Sequence, residues 1–165
     1  MAFRVVVVDD DPDVRRVVAI KLERAGFSVV TAPDAASGLA AVLLEAPDVA
    51  VVDRMLPDGD GLALVGTLRA TLADACPVIV VLSARTELAE VAEGIAAGAD
   101  DYVTKPFSPR DLVERILVAL VRHGRIPAPD DLAPGETDSP APAGTRGSPG
   151  IANGAPEEGE RGPLP

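Results

Sequence analysis

Basic residues are too few in this chain for it to bind nucleic acid by itself. Lys and Arg number 15 against 26 Asp and Glu, a formal net charge of −11 over 165 residues, and no segment gathers them into the basic face that a polyanion requires. Cysteine is nearly absent. Cys76 is the only one and stands beside Pro77 at the mouth of an apolar run, which excludes an internal disulfide and leaves a packed thiol in a reducing compartment. No run approaches the roughly 18 apolar residues that span a bilayer. The N-terminus reaches Asp9 too soon for a secretory signal, so the expected location is cytoplasmic, with no membrane partner. Aromatic residues are scarce, with three Phe, one Tyr and no Trp, so Tyr102 stands out.

What is present divides the chain in two. Up to Arg125, apolar runs rich in Val, Leu and Ala alternate with helical patterns, enough for a single core. Residues 126–165 hold nine Pro, seven Gly, seven acids and two Arg. Such a composition buries too little apolar surface to offset its ordering entropy, so the expected organisation is a domain over 1–125 and a disordered Pro/Gly/acidic tail over 126–165.

Within the domain, Arg4 to Val8, Phe27 to Thr31, Val49 to Asp53, Pro77 to Leu82 and Asp100 to Val103 read as short buried strands. Helical spacing of Val14, Val17, Val18 and Leu22 ends at Gly26. Pro33 and Asp34 start a second helix that Pro47 closes, a third begins near Gly61, a fourth runs to Gly98, and a fifth opens with Ser108 as N-cap and Pro109 as first residue. Five strands alternating with five helices predict an α/β fold: a parallel five-stranded sheet, (βα)5, doubly wound and flavodoxin-like, in the order 2-1-3-4-5.

That order brings chemistry together. Ligands of such sheets bind outside the carboxyl ends of the strands. Asp9 and Asp10 end the first strand, Asp53 the third, Ser83 the fourth, and Lys105 follows the fifth. Crowded carboxylates raise one another's pKa unless a cation neutralises them, and Mg²⁺, which takes one or two carboxylates with water and phosphate oxygens, suits a shallow acidic site. An Asp held there can act as a nucleophile toward phosphorus, with one metal and one Lys supplying positioning and charge. Asp11, the third acid of its run, reads as the cap of the following helix.

The motifs Val-Val-Asp-Asp-Asp-Pro-Asp-Val-Arg, Val-Asp-Arg-Met-Leu-Pro-Asp-Gly-Asp-Gly, Leu-Ser-Ala-Arg and Gly-Ala-Asp-Asp-Tyr-Val-Thr-Lys-Pro-Phe occur in that order. Over residues 3–123 the chain resembles the CheY-like receiver domain of two-component response regulators, nearest to receivers of the winged-helix transcription-regulator class. The resemblance implies that Asp53 accepts a phosphoryl group from the phospho-His of a sensor histidine kinase. It implies that Asp10, Asp53 and the Met55 carbonyl ligate Mg²⁺ while Asp9 holds a metal water, and that Lys105 contacts the phosphate, its bond to Pro106 being cis. Ser83 is then the hydroxyl that moves to the phosphate and Tyr102 the ring that follows. A new dianion offers acceptors for the hydroxyl, and the space it leaves admits a ring. Such a protein catalyses only its own phosphoryl transfer and dephosphorylation and is not otherwise an enzyme.

The resemblance also implies a dimerising face, with Asp100, Asp101, Asp111, Arg115 and Arg122 at charged positions used for intersubunit pairs and Val91 departing from the usual basic residue. No second hydrophobic pattern offers an output domain, so the expected protein is a stand-alone receiver acting on an unknown downstream protein. Three other readings compete. One is a Mg²⁺-dependent phosphohydrolase with Asp9 as nucleophile, disfavoured by Asp13 where Thr or Val is expected. Another is a truncated transcription regulator lacking its DNA-binding domain. The third is a receiver-shaped scaffold without phosphorylation, disfavoured because the pocket is complete.

Overall fold

The computed structural model describes residues 2–127; of the expected tail, all beyond Pro127 lies outside the described residues. In chain order the elements are β1 (Arg4–Val8), α1 (Pro12–Arg24), β2 (Ser28–Ala32), α2 (Ala35–Glu45), β3 (Val49–Asp53), β4 (Met55–Leu56), β5 (Gly59–Asp60), α3 (Gly61–Leu72), β6 (Val78–Ser83), α4 (Leu88–Ala96), β7 (Asp101–Thr104) and α5 (Pro109–Arg122). A 3-10 turn, Ala73–Ala75, follows α3.

Five strands form one parallel sheet in the order β2-β1-β3-β6-β7, the expected 2-1-3-4-5 in five-strand numbering. The valine runs are continuous because both faces of the central strands are covered. Val5, Val7, Val49, Val51, Val80 and Leu82 face α1 and α5, where Val18, Leu22, Leu112, Ile116 and Leu120 meet them. Val6, Val8, Ala50, Val52, Ile79 and Val81 face the other way, onto Val42 of α2 and Leu64, Val65 and Leu68 of α3. Full burial of one such side chain contributes about 1.5–3 kcal/mol. Ile126 packs against the first of these layers, so the folded chain reaches past Arg125.

Several boundaries differ from the expectation by a residue. The second, fourth and fifth strands each begin and end one residue later than expected. Asp34 precedes α2 as its N-cap, accepting from the Ser37 N–H at 2.7 Å, and α2 begins at Ala35. Asp11 caps α1 as expected, accepting from the Asp13 and Val14 N–H groups. Ser108 holds the N-cap place of α5, but its hydroxyl makes no capping bond; only its carbonyl joins the helix, accepting from Leu112 at 3.1 Å.

One element was not expected at all. β4 and β5 form a small antiparallel hairpin directly after β3, with Pro57 and Asp58 at its tip. Gly61 ends it where the chain folds back on itself: a Cβ there would lie 2.1 Å from the Asp53 carbonyl oxygen. No helix among the described residues is long and apolar enough to cross a membrane.

Candidate functional site

Parallel pairing delivers the acids of two non-consecutive strands to one edge. β1 and β3 are neighbours, with Val8 level with Val52, so the residues that follow them, Asp9 and Asp53, emerge side by side. Carboxylate oxygens of Asp9, Asp10 and Asp53 all lie within 4.8 Å of one another; Asp9 and Asp53 are buried and Asp10 is exposed. Lys105 reaches across from the end of β7. Its Nζ donates to Asp53 Oδ2 at 2.7 Å and to Asp9 Oδ2 at 3.1 Å. The Lys105–Pro106 bond is cis.

One further acceptor site on each of Asp9 and Asp53 is used locally. Asp9 Oδ1 accepts the Asp11 N–H at 2.9 Å, and Asp53 Oδ1 accepts the Met55 N–H at 3.0 Å, placing the Met55 backbone against the Asp53 carboxylate. Burial pushes the Asp9 carboxyl above its ordinary value, and the charge of Asp53 pushes the same way, against the lowering bonds from Asp11 and Lys105. Burial alone would pull Lys105 down, but its bonds and charge attraction to Asp53 and Asp9 outweigh that, so its pKa is raised. Lys105 is therefore a fixed cation.

Three carboxylates sharing one ammonium leave a net negative, all-oxygen pocket open on the Asp10 side. That donor set fits a hard divalent cation such as Mg²⁺ and does not suit a soft-metal or nitrogen-ligand site. Asp9 has no exposed surface, whereas the Asp53 side chain keeps some. A nucleophile at Asp9 does not fit that environment.

Ser83 is buried at the end of β6, and its Oγ accepts the Arg85 N–H at 3.1 Å. Tyr102 is buried, its ring packed under α4 so closely that a Cβ on Gly94 would meet Cδ2 at 2.6 Å. Its hydroxyl donates to the Arg85 carbonyl at 3.4 Å. One residue, Arg85, thus bonds both Ser83 and Tyr102.

The five charged positions expected on the dimerising face do not form one set. Asp100 turns inward, taking Arg69 Nη2 at 2.6 Å, the Ile79 N–H at 2.7 Å and His123 Nε2 at 3.1 Å. Asp101 pairs with Arg115 of its own chain at 3.0 Å. Asp111, Arg115 and Arg122 line one open depression beside Asp101.

Sequence reasoning placed Arg54 beside the pocket but missed its partner, and it missed Asp58 altogether. Arg54 is buried, its Nη2 bonded to Glu93 of α4 at 2.7 Å; that partner stands 39 residues away and leaves no local signal. Asp58, at the hairpin tip, accepts from the Ala35 N–H at 2.8 Å and the Ala36 N–H at 2.9 Å. The Pro-Asp-Gly turn signal could have revealed the hairpin, but not this partner.

The model of the response regulator receiver domain matches residues 5–117. The chain is 42% identical over 140 residues to the transcriptional regulatory protein CseB of Streptomyces avermitilis, an alignment covering 85% of this chain and 57% of that protein. It spans about half the length of the curated relatives it matches. Among solved structures, the response regulator DrrB, a Thermotoga maritima OmpR/PhoB homologue, superposes with a TM-score of 0.68 at 35% identity, covering 74% of this chain and 54% of that one. A CheY-like receiver domain protein of Methanospirillum hungatei superposes with a TM-score of 0.70 at 30% identity, covering 76% and 98%.

Proposed function

Because this chain belongs to the response regulator receiver family of two-component signalling, we propose that Asp53 is its phosphoacceptor, charged by the phospho-His of a sensor histidine kinase. The observation that carries this reading is the Asp53 carboxylate held 2.7 Å from Lys105 beside Asp9 and Asp10. An Asp53 oxygen attacks phosphorus while the phosphorus–nitrogen bond to the histidine breaks, and the imidazole nitrogen keeps the electron pair. Lys105 stays charged and faces the transferring oxygens. Asp10, Asp53 and the Met55 carbonyl would hold Mg²⁺, with Asp9 placed for a metal-bound water. Mg²⁺ bound there neutralises charge on the phosphoryl oxygens. An apolar groove beside Lys105, lined by Val14, Val17, Ala84, Pro106 and Phe107, is the surface offered to the kinase.

Output runs through Ser83, Arg85 and Tyr102. When Ser83 turns its hydroxyl to a phosphoryl oxygen, it withdraws from the Arg85 N–H, and the Arg85 carbonyl that holds Tyr102 is freed with it. The face altered is that of α4, β7 and α5, and phosphorylation promotes pairing of two copies there through Asp111, Arg115 and Arg122. Asp100 contributes little, since an intersubunit charge would have to displace Arg69 or His123. The output acts on a downstream protein.

The test is incubation with acetyl phosphate and Mg²⁺. An acid-stable, base-labile mass increment of one phosphate on the wild type and none on Asp53→Asn is expected. An increment that survives in Asp53→Asn would overturn the assignment. Sedimentation with a beryllofluoride mimic should show a dimer, and a monomer would remove the homodimer from the reading.

A further inference from the structure

The hairpin that follows Asp53 is too short to hold itself in place. β4 and β5 contribute two residues each, and an isolated two-stranded hairpin is marginal in water even when longer. Both ends of this one are anchored elsewhere. At its base, the Gly61 N–H donates to the Arg54 carbonyl at 2.6 Å. At its tip, Asp58 spans two backbone donors of a separate element, each oxygen taking one N–H of the first turn of α2.

Those two donors belong to the orphan N–H groups that every helix presents at its start. α2 already has an N-cap in Asp34, whose side chain takes the Ser37 N–H and leaves the Ala35 and Ala36 N–H groups to Asp58. The two acids divide the work. Asp34 serves only α2, whereas Asp58 joins α2 to the loop carrying Met55, and Met55 is the residue whose backbone touches the Asp53 carboxylate.

We propose that Asp58 is a positioning residue for the phosphoacceptor pocket, its carboxylate fixing the hairpin to the start of α2 so that the Met55 backbone is preset beside Asp53 for Mg²⁺. The inference rests on the reading of the pocket as a Mg²⁺-dependent phosphoacceptor. Asp58 itself touches neither the metal nor the phosphoryl group.

The experiment compares Asp58→Ala with Asp34→Ala in the full chain, since each removes one capping acid from the same helix end and only one of them holds the hairpin. Mg²⁺ affinity is measured by calorimetry on the unphosphorylated protein, and amide hydrogen exchange is followed at Met55 to Gly59. Asp58→Ala is expected to weaken Mg²⁺ binding three- to tenfold and to speed exchange in the hairpin. Asp34→Ala should lower Tm by a similar amount yet leave both readouts within twofold of the wild type, and Asp58→Asn, keeping one acceptor, should fall between. Equal loss of Mg²⁺ affinity in the two alanine variants, or unchanged affinity in Asp58→Ala, would overturn this inference while the phosphoacceptor reading stands. A wild type that takes no Mg²⁺ at all would overturn both.

Discussion

At the amino ends of the strands each of the charges described meets an opposite one, whereas at the carboxyl ends three carboxylates share a single ammonium. The first edge carries Arg4 with Glu45 at 3.1 Å, Arg69 with Asp100 at 2.6 Å and Arg125 near Asp48. The second carries Asp9, Asp10 and Asp53 against Lys105. The sheet between them is the same apolar slab. One edge is therefore electrostatically closed, and the other is left short of positive charge at the pocket proposed above for a cation and a phosphoryl group.

The largest effect expected from breaking this contrast lies at the closed edge. Asp100→Ala leaves the Arg69 guanidinium without its 2.6 Å partner and the Ile79 N–H without an acceptor. Loss of one member of a fully buried pair costs about 3–5 kcal/mol; Arg69 keeps some solvent access, which reduces the expected loss to about 2–3 kcal/mol. Urea unfolding at neutral pH measures it. A change under about 0.5 kcal/mol, the ordinary surface effect, would mean that the closed edge contributes nothing to stability.

The matching substitution at the open edge should have the opposite sign. Burial and the neighbouring Asp53 charge penalise ionised Asp9, so Asp9→Asn should raise stability without divalent metal by about 1 kcal/mol. The pH dependence follows from the direction of the shift. The folded pKa of Asp9 lies above its unfolded value of 3.8, so between those two values the native state takes up a proton that the unfolded chain does not. Wild-type stability from this group therefore recovers as pH falls through the folded pKa toward 3.8, and the advantage of Asp9→Asn shrinks over that window. Mg²⁺ should shrink it as well, by binding the wild type more tightly than the variant. Thermal melts across pH, with and without Mg²⁺, check both; an advantage independent of pH and metal would contradict the frustrated-pocket account.

This contrast also explains what the sequence could and could not reveal. Asp9, Asp10, Asp53 and Ser83 were legible because each stands at the end of an apolar run and Lys105 because it follows the last strand, and strand order alone then makes them neighbours. The sheet was legible for the same reason: Val5 to Val8 and Val49 to Val52 are too uniformly apolar for anything but a strand covered on both faces. The pairing of Asp100 was not, because nothing local distinguishes an aspartate that turns inward to Arg69 from one that faces a partner. The partners of Arg54 and Asp58 were hidden by sequence separation, lying 39 and 23 residues away. Tyr102 was recognised as the one tyrosine, but its packing was not; the missing information was Gly94, which lets the ring lie under α4.

The smallest expected effect separates the edges most finely. Arg54 to Glu93 and Arg4 to Glu45 are both pairs with a solvent-exposed member, so Glu93→Gln and Glu45→Gln should each cost only about 0.5 kcal/mol, less in high salt. Their consequences differ because of what each pair holds. α2 is fastened by Val42 in the core and by the bonds of Asp34 and Asp58. α4 fully buries only Gly94, touches the core through the partly buried Val91, leaves Leu88 and Ile95 exposed, and is tied by Arg54 to Glu93 and by Arg85 to Glu90 at 2.5 Å. Glu93→Gln should therefore raise amide exchange several-fold throughout α4, while Glu45→Gln should leave α2 unchanged. Should α4 stay as protected in Glu93→Gln as in the wild type, the helix above Tyr102 is held by packing and not by its ion pairs.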